Sequence, residues 1–168
     1  MIETERILLL PLSYDQLLLY IKADNVLETT LGLLNSSRKL SDELRDALEN
    51  TLLPNVADAT KDFHYSTLWT IISKEEKSMV GDICICGEPN QAGEIEIGYG
   101  TYEEFQGRGF MTEGVAALLQ WAAEQPEVES VIASTNKENI GSYTILKKNK
   151  FVKVGESEDL FNWKRVLR

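Results

Sequence analysis

The run Glu96-Ile97-Gly98-Tyr99-Gly100-Thr101-Tyr102-Glu103-Glu104-Phe105-Gln106-Gly107-Arg108-Gly109-Phe110-Met111-Thr112-Glu113 decides how this chain folds. It reads as a strand, then a tight basic glycine turn, then the opening of a helix. Backbone amides at a helix N-terminus have no intrahelical partners and carry the positive end of the macrodipole, so a polyphosphate settles there when no side chain blocks it. Gly107 and Gly109 remove the blocking side chains, and Arg108 adds a cation. The turn lacks the Gly-Lys-Ser/Thr ending of a Walker loop and the three-glycine spacing of a dinucleotide fingerprint. A glycine bulge or cap before an ordinary amphipathic helix is the competing reading of the same residues.

Further along, Val131-Ile132-Ala133-Ser134-Thr135 has strand character, and Asn136-Lys137-Glu138-Asn139-Ile140-Gly141-Ser142 opens a second helix that ends near Asn149, before Phe151. This order resembles the GNAT superfamily of N-acetyltransferases. In that family a Gln/Arg-x-x-Gly-x-Gly/Ala turn holds the coenzyme A pyrophosphate, and a later Asn-x-x-Ser helix flanks the pantetheine arm. Gln106-Gly107-Arg108-Gly109-Phe110-Met111 matches the first pattern and Asn139-Ile140-Gly141-Ser142 the second. At the other end, Glu3-Thr4-Glu5-Arg6-Ile7-Leu8-Leu9-Leu10-Pro11-Leu12 looks like the opening strand of the branch related to the ribosomal-protein N-terminal acetylating enzymes. The resemblance covers nearly the whole chain.

The resemblance implies an α+β GNAT fold, with a mixed and mostly antiparallel central sheet flanked by helices. It implies acetyl-CoA as the acetyl-donor cosubstrate, bound by Tyr99, Thr101, Gln106, Gly107, Arg108, Gly109, Phe110, Met111, Thr112, Asn139 and Ser142. It further implies that pantetheine pairs like an extra strand with backbone groups near Tyr99 and Thr101, which makes the Tyr99 amide the expected oxyanion donor. Two positions depart from the family pattern. Met111 replaces a small residue after the phosphate turn, where it is expected to crowd the cofactor. Lys150 replaces the glycine before Phe151, at a corner where glycine takes a positive φ more cheaply, so a differently built corner is expected.

The chemistry of amine acetylation needs a proton removed from the ammonium, an oxyanion stabilised and a thiolate released. Glu96 is the first choice for the base, acting directly or through water, with Glu94 on the same strand face as its rival. Many relatives carry a tyrosine acid at the position occupied here by Leu146. Tyr143 and Ser142 lie nearby, Tyr143 reading as a packing residue, and a thiol pKa near 8.5 makes a dedicated acid dispensable. His64, the only histidine, reads as a solvated or structural loop residue, with acceptor contact as its other role. Trp69, Trp121 and Trp163 read as core or partly covered surface, with Trp163 alternatively walling the acceptor site.

A chain of 168 residues with 43% hydrophobic and 26% charged content suits one globular domain over residues 1–168. No apolar run is long enough to span a bilayer, and Glu3 and Glu5 stand where a leader would be basic, so the expected location is cytoplasmic without membrane association. Cys84 and Cys86 share a strand face and read as small buried hydrophobes, with no disulfide and no metal site. A net charge of −10 argues against nucleic acid as a partner and steers cationic acceptors inward, although acidity for solubility alone produces the same number.

Along the chain, the pattern predicts a strand over Arg6 to Leu12 and a helix from Ser13, its N-cap. Helical pieces then run to Leu53, with Ser41 as a further N-cap and Pro54-Asn55 closing the region. In the family this insertion shapes the acceptor pocket. An antiparallel meander follows over Ser66 to Ser73, Met79 to Gly87 and Glu94 to Thr101, then helices at Gly109 to Glu124 and Asn139 to Asn149 around the Val131 strand. Strands at Phe151 to Glu156 and Leu160 to Val166 end the chain. The expected activity is acetyl transfer to a primary amine of a small molecule or a protein N-terminus, by a monomer or homodimer. A non-catalytic acyl-CoA-binding sensor or interaction module is the alternative from another class.

Overall fold

The computed structural model describes residues Met1–Arg168. Its strands are β1 (Ile2–Glu3), β2 (Ile7–Pro11), β3 (Leu68–Ser73), β4 (Ser78–Ile85), β5 (Glu94–Thr101), β6 (Ser130–Asn136), β7 (Val152–Glu156) and β8 (Leu160–Val166). They form one 8-stranded sheet in the order β1-β2-β3-β4-β5-β6-β8-β7. Every neighbouring pair is antiparallel except β5 and β6, which run parallel. This is the mixed, mostly antiparallel α+β sheet that the sequence leads one to expect.

Between β2 and β3 lies the helical insertion: α1 (Tyr14–Lys22), α2 (Val26–Thr30), α3 (Asp42–Ala47) and α4 (Leu53–Ala57). Ser13 caps α1 through a reciprocal pair of bonds, its hydroxyl accepting from the Gln16 amide and the Gln16 side chain accepting from the Ser13 amide. Ser41 caps α3 by one bond only, its hydroxyl accepting from the Leu44 amide at 3.1 Å. The insertion continues past its expected end. One π-helical turn, Leu48–Leu52, joins α3 to α4 in a continuous helical backbone, and Pro54 falls in the first turn of α4 just past it. Pro54 therefore lies within the helical run, which ends at Ala57 instead of at Pro54-Asn55. The short β1 was not anticipated, since so brief a strand has no measurable periodicity.

Two apolar clusters lie on opposite faces of the sheet, because successive strand side chains alternate. In β5, Ile95 and Ile97 are buried with Val115 and Leu118 of α5 (Phe110–Glu124) and Leu146 of α6 (Ile140–Lys148), whereas Glu94 and Glu96 face the other side. There the insertion packs through Leu12, Leu17, Leu27 and Leu48 onto Leu68, Ile72 and Met79. Trp163 belongs to the first cluster, with its indole N–H donating to Thr135 Oγ1 at 2.8 Å, so it is core and not an acceptor wall. No helix is long and apolar enough to cross a membrane.

Three expectations need correction. Lys150 does not rebuild its corner: it takes the left-handed φ of +63° that glycine would, and its amide and that of Phe151 bond the carbonyls of Lys147 and Leu146 as in a Schellman cap. Met111 borders the cleft beside the glycine turn, but little of its side chain is open to it. It is 3% exposed and its Cε folds back toward Gly81, where a Cβ would come within 3.1 Å of it. Cys86 is exposed and Cys84 only partly covered, both as free thiols, because the strand face they share is left open beside the insertion.

Candidate active site

Strands β5 and β6 pair only over Glu94 to Glu96 and Ser130 to Ile132. Beyond Glu96 they diverge, so one edge of β5 runs without a neighbour to Thr101. Its polarity follows from the bonds made on the other edge: the Glu96 carbonyl accepts from Cys86, and the Tyr102 amide, just past the strand, donates to Val80. In an antiparallel pair the residues between alternate, which turns the N–H and C=O groups of Ile97, Tyr99 and Thr101 toward the open side. A row of unpaired N–H and C=O groups on a strand edge is a template for a further strand. An extended ligand with amide groups pairs with it, as a strand would.

The open edge leads into a cleft of about 420 Å³ bounded by β5, the glycine turn and α6. Its lining includes Tyr99, Thr101, Gln106, Gly107, Gly109, Phe110, Met111, Thr112, Asn139 and Ser142. The structure thus brings to one cavity every residue assigned to the cofactor except Arg108.

Gly107 and Gly109 take φ values of +74° and +82°, which only glycine adopts without strain. Gly109 occupies the N-cap of α5 and offers no side chain to its first turn, so the amides there remain open to an anion. The opening strand holds this turn in place. Thr4 Oγ1 donates to Glu113 Oε1, Arg6 Nε to Glu113 Oε2 at 2.8 Å, and Arg6 Nη1 to the Arg108 carbonyl at 3.0 Å. Burial opposes ionisation of Glu113, yet the bonds from Thr4 and Arg6 outweigh it and hold its carboxyl below the usual range. That explains physically why Thr4 and Arg6 accompany the phosphate turn. Arg108 itself turns aside, its guanidinium 2.5 Å from Glu76 Oε1 and against the rings of Phe105 and Phe110.

Asn139 caps α6 by accepting from the Ser142 amide at 3.1 Å. Ser142 in turn meets Tyr99 across the cleft: the Tyr99 hydroxyl donates to the Ser142 carbonyl at 2.8 Å, and the Ser142 hydroxyl donates to the Tyr99 oxygen at 3.2 Å. Burial pushes the Tyr99 phenol up to about 12, and its proton is engaged on Ser142, so its side chain ties β5 to α6 rather than delivering a proton. Leu146 is fully buried in the core, and Tyr143 stacks on Trp163 with ring centroids 6.0 Å apart. Neither presents a proton donor to the cleft.

On the opposite face of β5 the two glutamates differ. Glu94 Oε1 accepts from Lys164 Nζ at 2.7 Å and Glu94 Oε2 from Asn90, bonds that lower its pKa. Glu96 is exposed and holds no ion pair. His64 lies elsewhere, its Nδ1 2.6 Å from Asp62 Oδ1 and its ring near Phe63, Trp69 and Trp121.

The sequence reading missed Gly100, Phe105, Gly141, Thr144, Ile145 and Lys148 in the cleft. Gly141, Thr144, Ile145 and Lys148 recur at helical spacing on one face of α6, a signal that Asn139 and Ser142 already implied. Lys148 is the cation among them.

The model of the acetyltransferase (GNAT) domain family matches residues 6–152. The chain belongs to that family, whose members transfer acetyl groups from acetyl-CoA to amines. An uncharacterized N-acetyltransferase of Bacillus subtilis, YjdG, is 29% identical over 100 residues, 60% of each of the two chains. The match therefore spans less than two thirds of that relative. Among solved structures, the RimL ribosomal L7/L12 α-N-protein acetyltransferase with coenzyme A is similar at a TM-score of 0.68 and 17% identity, covering 97% of this chain and 95% of that one. The ribosomal-protein S5 alanine acetyltransferase of Vibrio fischeri gives 0.70 at 18% identity, over 98% and 94%. The spermidine N-acetyltransferase of Vibrio cholerae with CoA and spermine gives 0.67 at 13%, over 98% and 97%. The fold is thus shared with the ribosomal-protein enzymes that the opening strand resembles and with a polyamine enzyme alike.

Proposed function

We propose that this chain, as a single domain over residues 1–168, is an acetyl-CoA-dependent N-acetyltransferase acting on a primary amine by direct transfer in a ternary complex. The observation that carries this reading is the unpaired edge of β5, which ends at a glycine turn whose helix amides are open. Pantetheine fits the edge and pyrophosphate fits the turn. Bound acetyl-CoA supplies a thioester already activated toward an amine.

The remaining work falls to side chains and amides of this chain. The Tyr99 amide donates to the carbonyl oxygen as charge develops there, a contribution that is large when the donor is fixed in advance. Glu96 takes the ammonium proton, directly or through a water, from the open face of β5. Glu94 is a poorer base because Lys164 and Asn90 already occupy both its oxygens. Lys148, at the rim of the cleft, compensates phosphate charge. Thiolate departure needs no dedicated acid, in keeping with the buried Leu146.

The acceptor in this reading is a cationic amine, either a small molecule or a protein N-terminus, drawn in by the charge of −10. The reading includes a cytoplasmic location and a monomer or homodimer. The second reading, an acyl-CoA-binding module without turnover, is favoured by one observation only, the loss of a phenol at Leu146. Incubation with acetyl-CoA and a panel of amines, following free thiol, separates them. Thiol release with any amine supports the enzyme, and saturable CoA binding without release on all of them supports the module.

A further inference from the structure

Asp82, on β4, is a buried carboxylate that the chemistry above does not use. A single oxygen of it, Oδ2, accepts two phenols: Tyr20 of α1 at 2.6 Å and Tyr102, just beyond the end of β5, at 2.8 Å. Its other oxygen, Oδ1, is buried without a hydrogen-bond partner. Burying a half-satisfied carboxylate is costly, and a fold that only needed filler there would do better with an apolar residue.

The two tyrosines come from opposite sides of the reaction. Tyr102 fixes the chain where β5 leaves the sheet, and only the turn Glu103–Phe105 separates it from Gln106 and the phosphate glycines. Tyr20 belongs to the insertion over the acceptor face. Its ring lies under the Arg38 guanidinium at 4.0 Å, its carbonyl accepts from Arg38 Nη1, and Arg38 Nε reaches the buried Glu28 of α2 at 2.9 Å. A second link runs in parallel, since the Ser37 hydroxyl donates to Glu104 at 2.8 Å, on the turn leading to the glycines.

We propose that Asp82 is a positioning residue that couples the acceptor-side helix α1 to the cofactor end of β5, so that Tyr20 helps set how tightly CoA is held. This rests on the acetyltransferase reading, because the glycine turn must be the CoA site. Neither Tyr20 nor Asp82 lines the cleft, so Tyr20 acts on CoA at a distance, and its hydroxyl reaches the cofactor end of β5 through the shared oxygen.

The test is calorimetric titration of CoA into wild type, Tyr20→Phe, Tyr102→Phe, the double variant and Ile21→Val, with thermal unfolding of each. Ile21 is a buried neighbour on α1 outside the network, and losing a methylene there loosens the same helix. Tyr20→Phe should weaken CoA binding by about threefold to tenfold, the range of one hydrogen bond. The double variant should be no weaker than the poorer single variant, because both act through one oxygen, and Ile21→Val should bind as wild type does. Unchanged binding in Tyr20→Phe, fully additive losses in the double variant, or an equal loss in Ile21→Val would overturn the coupling. Failure of wild type itself to bind CoA would instead overturn the acetyltransferase reading and the coupling with it.

Discussion

Lys164 Nζ lies 2.7 Å from Glu94 Oε1, and this one ion pair separates two carboxylates that share a face of β5. Glu94 is held ionised by its partner, whereas Glu96 is left free and exposed. A base must release its own charge state as it takes a proton, and a carboxylate locked to an ammonium does so reluctantly.

Replacing Glu96 by Gln should therefore lower kcat by roughly the 10²–10⁴-fold typical of general-base loss, with CoA affinity unchanged. Glu94→Gln should leave turnover near wild type. Steady-state rates between about pH 6 and 9 check both, and a normal kcat in Glu96→Gln moves the base elsewhere.

Lys150 sits at φ +63° in the cap of α6, a conformation that costs a side-chain-bearing residue on the order of 1 kcal/mol. Lys150→Gly should accordingly stabilise the fold by about 1 kcal/mol, or about 2–4 °C in Tm for a chain of this size. Equal or lower stability in urea unfolding would mean that lysine contacts repay the strain.

Acid should weaken the clamp between the opening strand and α5. The folded pKa of Glu113 lies below its unfolded value, so the stability it contributes is present above the ordinary carboxylate range and lost as pH falls through its folded value. Thermal unfolding from about pH 6 down to about pH 3 should show Tm falling in wild type and a shallower fall in Glu113→Gln, which starts lower. Parallel slopes would remove Glu113 from the account.

Salt should act on the acceptor rather than on the donor site. With a charge of −10, a cationic amine such as spermidine gains from a long-range field that fades beyond about 10 Å in 0.1 M salt. Its KM should rise with ionic strength while kcat changes little. A neutral amino acid should show no such trend, and a neutral acceptor preferred at every salt concentration would leave shape, not charge, as the selector.

Much of this was legible from residues alone. The strand Glu94–Thr101 and the strand Leu160–Val166 have the predicted bounds, because alternation and flanking turn residues mark a half-buried strand at both ends. The glycine turn and the Asn139 cap were legible because backbone chemistry there admits few residue types. Harder to read were features that depend on distant partners. That Lys164 would reach Glu94, that Met111 would fold toward Gly81, and that Arg108 would turn to Glu76 are consequences of sheet order, which local periodicity does not encode. The π-turn at Leu48–Leu52 is likewise not encoded by local periodicity, though its Leu48 joins the apolar cluster under the insertion.

The most direct measurement is titration of CoA into wild type and Gly107→Asp. Gly107 has open space where a Cβ would point, and its left-handed φ costs aspartate no more than about 1 kcal/mol, less than a domain's stability, so the variant folds while a carboxylate enters the phosphate turn. The account predicts saturable CoA binding by wild type and a loss of at least about tenfold in the variant, the scale of a like charge beside a phosphate. Equal affinity for CoA in a folded Gly107→Asp protein would contradict it.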